Sequence, residues 1–158
     1  MWQYIFLIFV GLMALEVSFF KPIIEIFCEG LAIISHFMIQ LFDDNIIFDA
    51  PNILRHKTNG FAIAVSNECS GLSAIVLLSM AILIFPASRQ AKLYGIVVGF
   101  VLIEIINILR LISLVYAGVF LPNYFDMIHT QAWTIALYFI TLLLFAGWLM
   151  VEKKYHAY

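Results

Sequence analysis

Charge is what this chain has least of. Of its 158 residues only 11% are Asp, Glu, Lys or Arg, while 65% are hydrophobic. Water-soluble domains carry about a quarter charged residues and about half apolar ones, so the composition argues for an integral membrane protein. A formal net charge of −2 leaves no basic surface, and no nucleic-acid partner is expected. The two cysteines, Cys28 and Cys69, form neither a CxxC nor a metal-ligand spacing, and no metal or other cofactor is expected. The Gly-x-Ser-x-Gly elbow of serine hydrolases is missing as well. Met1-Trp2-Gln3-Tyr4 offers no basic region before the first apolar stretch, and no small-residue cleavage site follows it, which argues against a removable signal peptide. No internal repeat, low-complexity tract or linker divides the sequence, so a single transmembrane domain over residues 1–158 is expected.

Apolar runs are what the chain has in place of charge. A membrane crossing needs about 20 apolar residues, and five segments qualify: Tyr4–Phe20, Pro22–Phe42, Ser70–Phe85, Lys92–Gly118 and Ile128–Val151. The expected fold is therefore an all-α membrane protein of about five transmembrane helices. The second segment is interrupted by Glu25, Glu29, His36 and Gln40. Glu25, Glu29 and His36 share one helical face, expected to point into the bundle or an interface. Lys21, Arg89, Lys92, Lys153 and Lys154 all fall on one side of the five-span arrangement. Positive charge marks the cytoplasmic side, so the segment from Asp43 to Cys69 and the loop from Gly118 to Ile128 are expected outside.

That outer segment carries a strand signal. Ile53-Leu54-Arg55-His56-Lys57-Thr58 and Phe61-Ala62-Ile63-Ala64-Val65-Ser66 flank Asn59-Gly60. Asn-Gly suits a two-residue hairpin, because both turn residues need positive φ. The pairing sets His56 opposite Ile63, and Phe61, Ile63 and Val65 alternate as in a half-buried strand. A short outer β-hairpin thus leads into the helix that carries Cys69.

Polar residues near the outer ends of the spans are the candidate site. With Asn67 as N-cap, Glu68, Cys69 and Ser70 occupy the first helical turn, where free N–H groups and the helix dipole favour a thiolate. Arg110 lies 18 residues beyond Lys92, or roughly 27 Å at helical rise, which brings it level with Cys69. Asn107 is one turn earlier and placed to orient its guanidinium, with Glu104 a further turn deeper as a packing or charge-balancing residue. His129 opens the last span, again at the outer side, where an imidazole can take the thiol proton and return it to a leaving amine. Ser70 can donate a hydrogen bond or fill the helix start, and Gly71 allows close helix approach. His56 is the competing base, while Trp133 is expected to anchor or pack.

Asn67-Glu68-Cys69-Ser70-Gly71-Leu72, then Asn107-Ile108-Leu109-Arg110, then His129 resembles the exosortase/archaeosortase family in order and approximate spacing. The resemblance covers roughly Phe61 to Trp133, with fewer spans before the cysteine than the larger members have. It implies a membrane cysteine peptidase or transpeptidase at the outer face of the cytoplasmic membrane, with Cys69, Arg110 and His129 as catalytic residues. Asn67, Ser70 and Asn107 would support them. Its partners would be C-terminal sorting signals of exported proteins, each with a short motif, an apolar helix and a basic tail. Transfer would go to a membrane lipid or surface-polysaccharide acceptor, with water as the competitor. Three other readings stand beside it. One is a non-enzymatic membrane subunit, or a lipid- or partner-binding protein, with a structural Cys69 and a snorkelling Arg110. Another is a Cys28–Cys69 oxidoreductase, which the expected placement of the two thiols at opposite ends opposes. The third is an intramembrane serine protease using Ser70.

Overall fold

A computed structural model describes residues 20–156. The first expected span, Tyr4–Phe20, lies outside the described residues except for Phe20. The described chain is mostly helical, with one small sheet. Helix α1 covers Lys21–Gln40, opened by Pro22 in its first turn, where a missing N–H costs nothing. Ile24, Cys28, Leu31, Ser35 and Ile39 are its buried stripe, at helical spacing. The polar residues do not form that face. Of the expected inward face, Glu25 is exposed while Glu29 and His36 are half-buried, the His36 ring stacked on Phe48 with centroids 6.1 Å apart.

Three antiparallel strands follow in the order β1 (Ile46–Ala50), β2 (Ile53–His56) and β3 (Ala62–Ala64). The hairpin is present, but its register differs by two residues from the Asn-Gly expectation, with Leu54 rather than His56 opposite Ile63. The loop closes through His56 N to Phe61 O at 2.8 Å and Gly60 N to His56 O at 3.1 Å. Only Gly60 takes positive φ there, at +73°. Asn59 instead accepts from Phe61 N through its Oδ1 at 3.0 Å, and His56 Nδ1 lies 3.1 Å from Thr58 Oγ1. These side chains stabilise a wider loop than a two-residue turn. A two-residue shift leaves side chains on their original faces, so Ile63 and Val65 are still buried, together with Ile46 and Leu54.

Helix α2 (Leu72–Ile84) has 13 residues, about 20 Å, which is short of a hydrocarbon core of about 30 Å. Ser88 then caps α3 (Arg89–Phe120), its Oγ accepting from Ala91 N at 3.2 Å. A 3-10 turn (Pro122–Tyr124), a helical turn (Phe125–Met127) and a π-helical stretch (Ile128–Ala132) lead into α4 (Trp133–His156). Three helical segments among the described residues are long and apolar enough to cross a membrane: Lys21–Gln40, Arg89–Phe120 and Pro122–Lys154. The expected third span, Ser70–Phe85, is not among them. Helix α3 is central, with α1 and the sheet along its later half and α2 and α4 along its earlier half.

Candidate active site

The site is built on a turn, not on the first turn of a helix. Asn67–Cys69 forms a 3-10 turn capped by Ser66, and Asn67 is its first residue and not the N-cap of α2. Cys69 N donates to Ser66 O at 2.9 Å and Ser70 N to Asn67 O at 3.2 Å. Ser70 Oγ donates to Asn67 O at 2.6 Å and accepts from Leu72 N at 3.3 Å. Ser70 therefore fastens the turn to the start of α2 and does not donate to the thiol. Gly71, at φ +74°, is the residue that opens α2. A side chain there would be strained in the left-handed region.

This turn directs Cys69 Sγ to His129 Nε2, 3.0 Å away. Cys69 is 1% exposed and His129 is half-buried. His129 belongs to the π-helical stretch, an irregularity often associated with functional sites. Phe125, four residues earlier, stacks on the imidazole with centroids 5.6 Å apart. Phe61 meets Phe125 edge-on at 5.2 Å, and its ring occupies the space where a Cβ on Gly118 would lie. An aromatic chain from the β2–β3 hairpin thus supports the histidine. Phe125 carried a sequence signal, since it is one helical turn before His129. The contact of Phe61 with Gly118 carried none.

Arg110 is 3% exposed, and its Nε is buried with no hydrogen-bond partner among the described residues. It borders a cavity of about 50 Å³ with Glu68, Gly71, Thr134 and Tyr138. Glu68 and Gly71 flank the Cys69–Ser70 pair, so the guanidinium stands at the same turn as the thiol. Thr134 and Tyr138, one and two turns beyond His129 on the last helix, were missed in the sequence.

Asn107 is fully buried, and among the described residues no hydrogen bond runs from its side chain to Arg110. A Cβ added to Gly71 would lie 3.3 Å from Asn107 Cγ and from Glu104 Oε1. Asn107 and Glu104 therefore pack beneath the Gly71 turn. The carboxylate of Glu104 is likewise buried, next to the Asn107 side chain.

Cys28 corrects the expected separation of the two thiols. It is buried in the same apolar cluster as Cys69, with Val65 and Leu111, and both cysteines are free. A cavity of about 530 Å³ beside them is lined by Lys21, Glu25 and Cys28 from α1 and by Asn52, Asn67 and Glu68. Lys21 thus borders the same space as the Cys69 turn, and it does not accompany Arg89 and Lys153 as the charge pattern suggested. His56 is held within its own hairpin loop. Trp133 packs against the cluster of Ile63, Leu114 and Val115. Among the described residues no three His, Cys, Asp or Glu side chains gather as a metal site.

A thiol against an imidazole, beside a buried guanidinium, can carry out nucleophilic acyl transfer. Compared with protein-family models, curated proteins and solved structures, the chain matches none.

Proposed function

We propose that this protein is a membrane-embedded cysteine peptidase or transpeptidase of the exosortase kind. Its substrates are C-terminal sorting signals of exported proteins, processed at the outer face of the cytoplasmic membrane. The observation that carries this reading is the 3.0 Å approach of Cys69 Sγ to His129 Nε2, between residues 60 positions apart. With its proton on Nδ1, the imidazole presents a free Nε2 lone pair to the thiol. Cys69 attacks the scissile carbonyl as its proton passes to Nε2. The tetrahedral intermediate then collapses to a thioester, and the same proton goes to the leaving amine. An amine or hydroxyl acceptor, or water, displaces the thioester in the second half-reaction. Arg110 supplies positive charge for the oxyanion at the cavity it shares with Gly71.

The same reading counts the short α2 as a crossing alongside α3 and α4. It sets Arg89, Lys92, Lys153 and Lys154 on the cytoplasmic side. A second reading, a non-enzymatic subunit, is favoured by the 1% exposure of Cys69 in an apolar cluster. Cleavage of a co-expressed reporter ending in motif, apolar helix and basic tail separates the two. Cys69→Ala should abolish cleavage while the protein stays folded in the membrane. Cleavage at the wild-type level by that variant would overturn the enzymatic reading.

A further inference from the structure

At the other end of α3 an open groove of about 360 Å³ runs between α3 and α4, floored by Leu78 and Ile82 of α2. Its walls include Tyr94, Gly95, Gly147 and Trp148. Trp148 lies across Gly95, where a Cβ would meet the indole nitrogen at 2.4 Å, and its Nε1 donates to Ala91 O at 3.1 Å. That bond ties the start of α3 to the end of α4 and so gathers their charges. Lys153 and Lys154 are exposed within one helical turn past Val151 of the groove, Arg89 is exposed between one and two turns before Tyr94, and Lys92 donates to Leu83 O at 2.6 Å. Within residues 85–95 and 147–154 the sole carboxylate is Glu152, which is buried against Phe85–Ser88 with Lys153 beside it.

We propose that this groove is a binding site for an anionic phospholipid, its acyl chain along Trp148 and its phosphate headgroup on Arg89, Lys153 and Lys154. Charge favours this occupant. The cationic mouth attracts a phosphate and repels a peptide tail rich in Lys or Arg. The site is independent of the chemistry at Cys69.

The test uses the whole protein in phosphatidylcholine vesicles containing a minor share of brominated lipid, either phosphatidylglycerol or phosphatidylcholine. Bromine on the acyl chain quenches nearby indoles, and the difference between wild type and Trp148→Phe isolates Trp148. Brominated phosphatidylglycerol should occupy the groove at least about fivefold more readily than brominated phosphatidylcholine, the preference expected from a single well-placed cation. The combined Arg89→Gln, Lys153→Gln and Lys154→Gln variant should lose the preference. So should Gly147→Leu, because a Cβ at Gly147 meets nothing within 4 Å and the new side chain enters the groove. Circular dichroism of each variant checks that the helices persist. Equal quenching by the two lipids, a preference that survives the triple substitution, or no quenching of Trp148 would overturn the proposal. Loss of the preference on adding inorganic phosphate to the buffer would assign the mouth to free phosphate and overturn the lipid reading.

Discussion

Replacing Gly71 by alanine tests whether the Cys69 turn depends on a backbone that only glycine supplies. Gly71 has φ +74°, and a Cβ there would stand 3.3 Å from Asn107 Cγ, Asn107 Nδ2 and Glu104 Oε1. The left-handed conformation costs an L-residue roughly 1–2 kcal/mol. Overpacking against side chains rooted on α3 adds about 1–3 kcal/mol. Gly60 is the internal control, since its φ is +73° but nothing lies within 4 Å of the added Cβ. Gly60→Ala should therefore show the backbone cost alone, and Gly60→Asn should be milder because asparagine tolerates this region. Equilibrium unfolding in mixed micelles gives the two losses, and Gly71→Ala should exceed Gly60→Ala by at least about 1 kcal/mol. Iodoacetamide labelling of Cys69 in a Cys28→Ala background gives a second readout. Gly71→Ala should change its rate, whereas Gly60→Ala should not. Equal losses for the two glycines, with unchanged Cys69 labelling, would refute the close approach of α3 to the turn.

Four further outcomes follow from the geometry. His129→Ala should slow the first half-reaction by about 10²–10⁴-fold without weakening substrate binding, measured by single-turnover cleavage of the reporter. Arg110→Lys should lower cleavage by about 10²–10³-fold despite keeping the charge, because an ammonium lacks the planar fork; full activity would reduce Arg110 to a snorkelling side chain. Gly118→Ala should destabilise the protein by about 1–3 kcal/mol, since its Cβ would overlap the Phe61 ring, and a silent substitution in micelle unfolding would contradict that packing. Asp43 is held below the usual carboxylate range by the backbone N–H of Asn45 at 2.9 Å, with the Tyr116 hydroxyl at 3.1 Å contributing. Its stabilising effect is present above the ordinary carboxylate pKa and fades as pH falls through the lower folded value. The melting gap between wild type and Asp43→Asn should thus close in acid, and a gap that widens there would reverse the sign.

The parts legible in the sequence are those set by local pattern. Long apolar runs mark α1 and α3 to within three residues of their ends and α4 to within five, and alternation marks Ile63 and Val65 as inward-facing. The meeting of Cys69 and His129 is legible because both precede apolar runs that start from one side. What packing decides was not legible. Strand β1 is the exception, since Pro51-Asn52 is a turn signal joining Ile46–Ala50 to β2. Gly71 displaces Asn67 as the residue that opens α2, because Ser70 folds back onto the Asn67 carbonyl and ends the first turn early. Cys28 and Lys21 approach the Cys69 turn through the path of α1 beside α3, which charge counting along the chain does not describe.

The shortness of α2 bears on the bilayer around it. Its 13 residues rise about 20 Å beside an α3 of 32 residues, which rises about 48 Å. Lipid along α2, where Leu83 is exposed, meets an apolar edge some 10 Å shorter than its own hydrocarbon core. The bilayer relieves such a mismatch by thinning, or by letting headgroups and water descend toward the short end, at fractions of a kcal/mol per Å. One of the two ends of α2 is the Asn67–Gly71 turn with the buried thiol on it. On the crossing proposed for α2, a membrane a few ångströms thicker or thinner therefore bears on the Cys69 turn more directly than on the ends of α3.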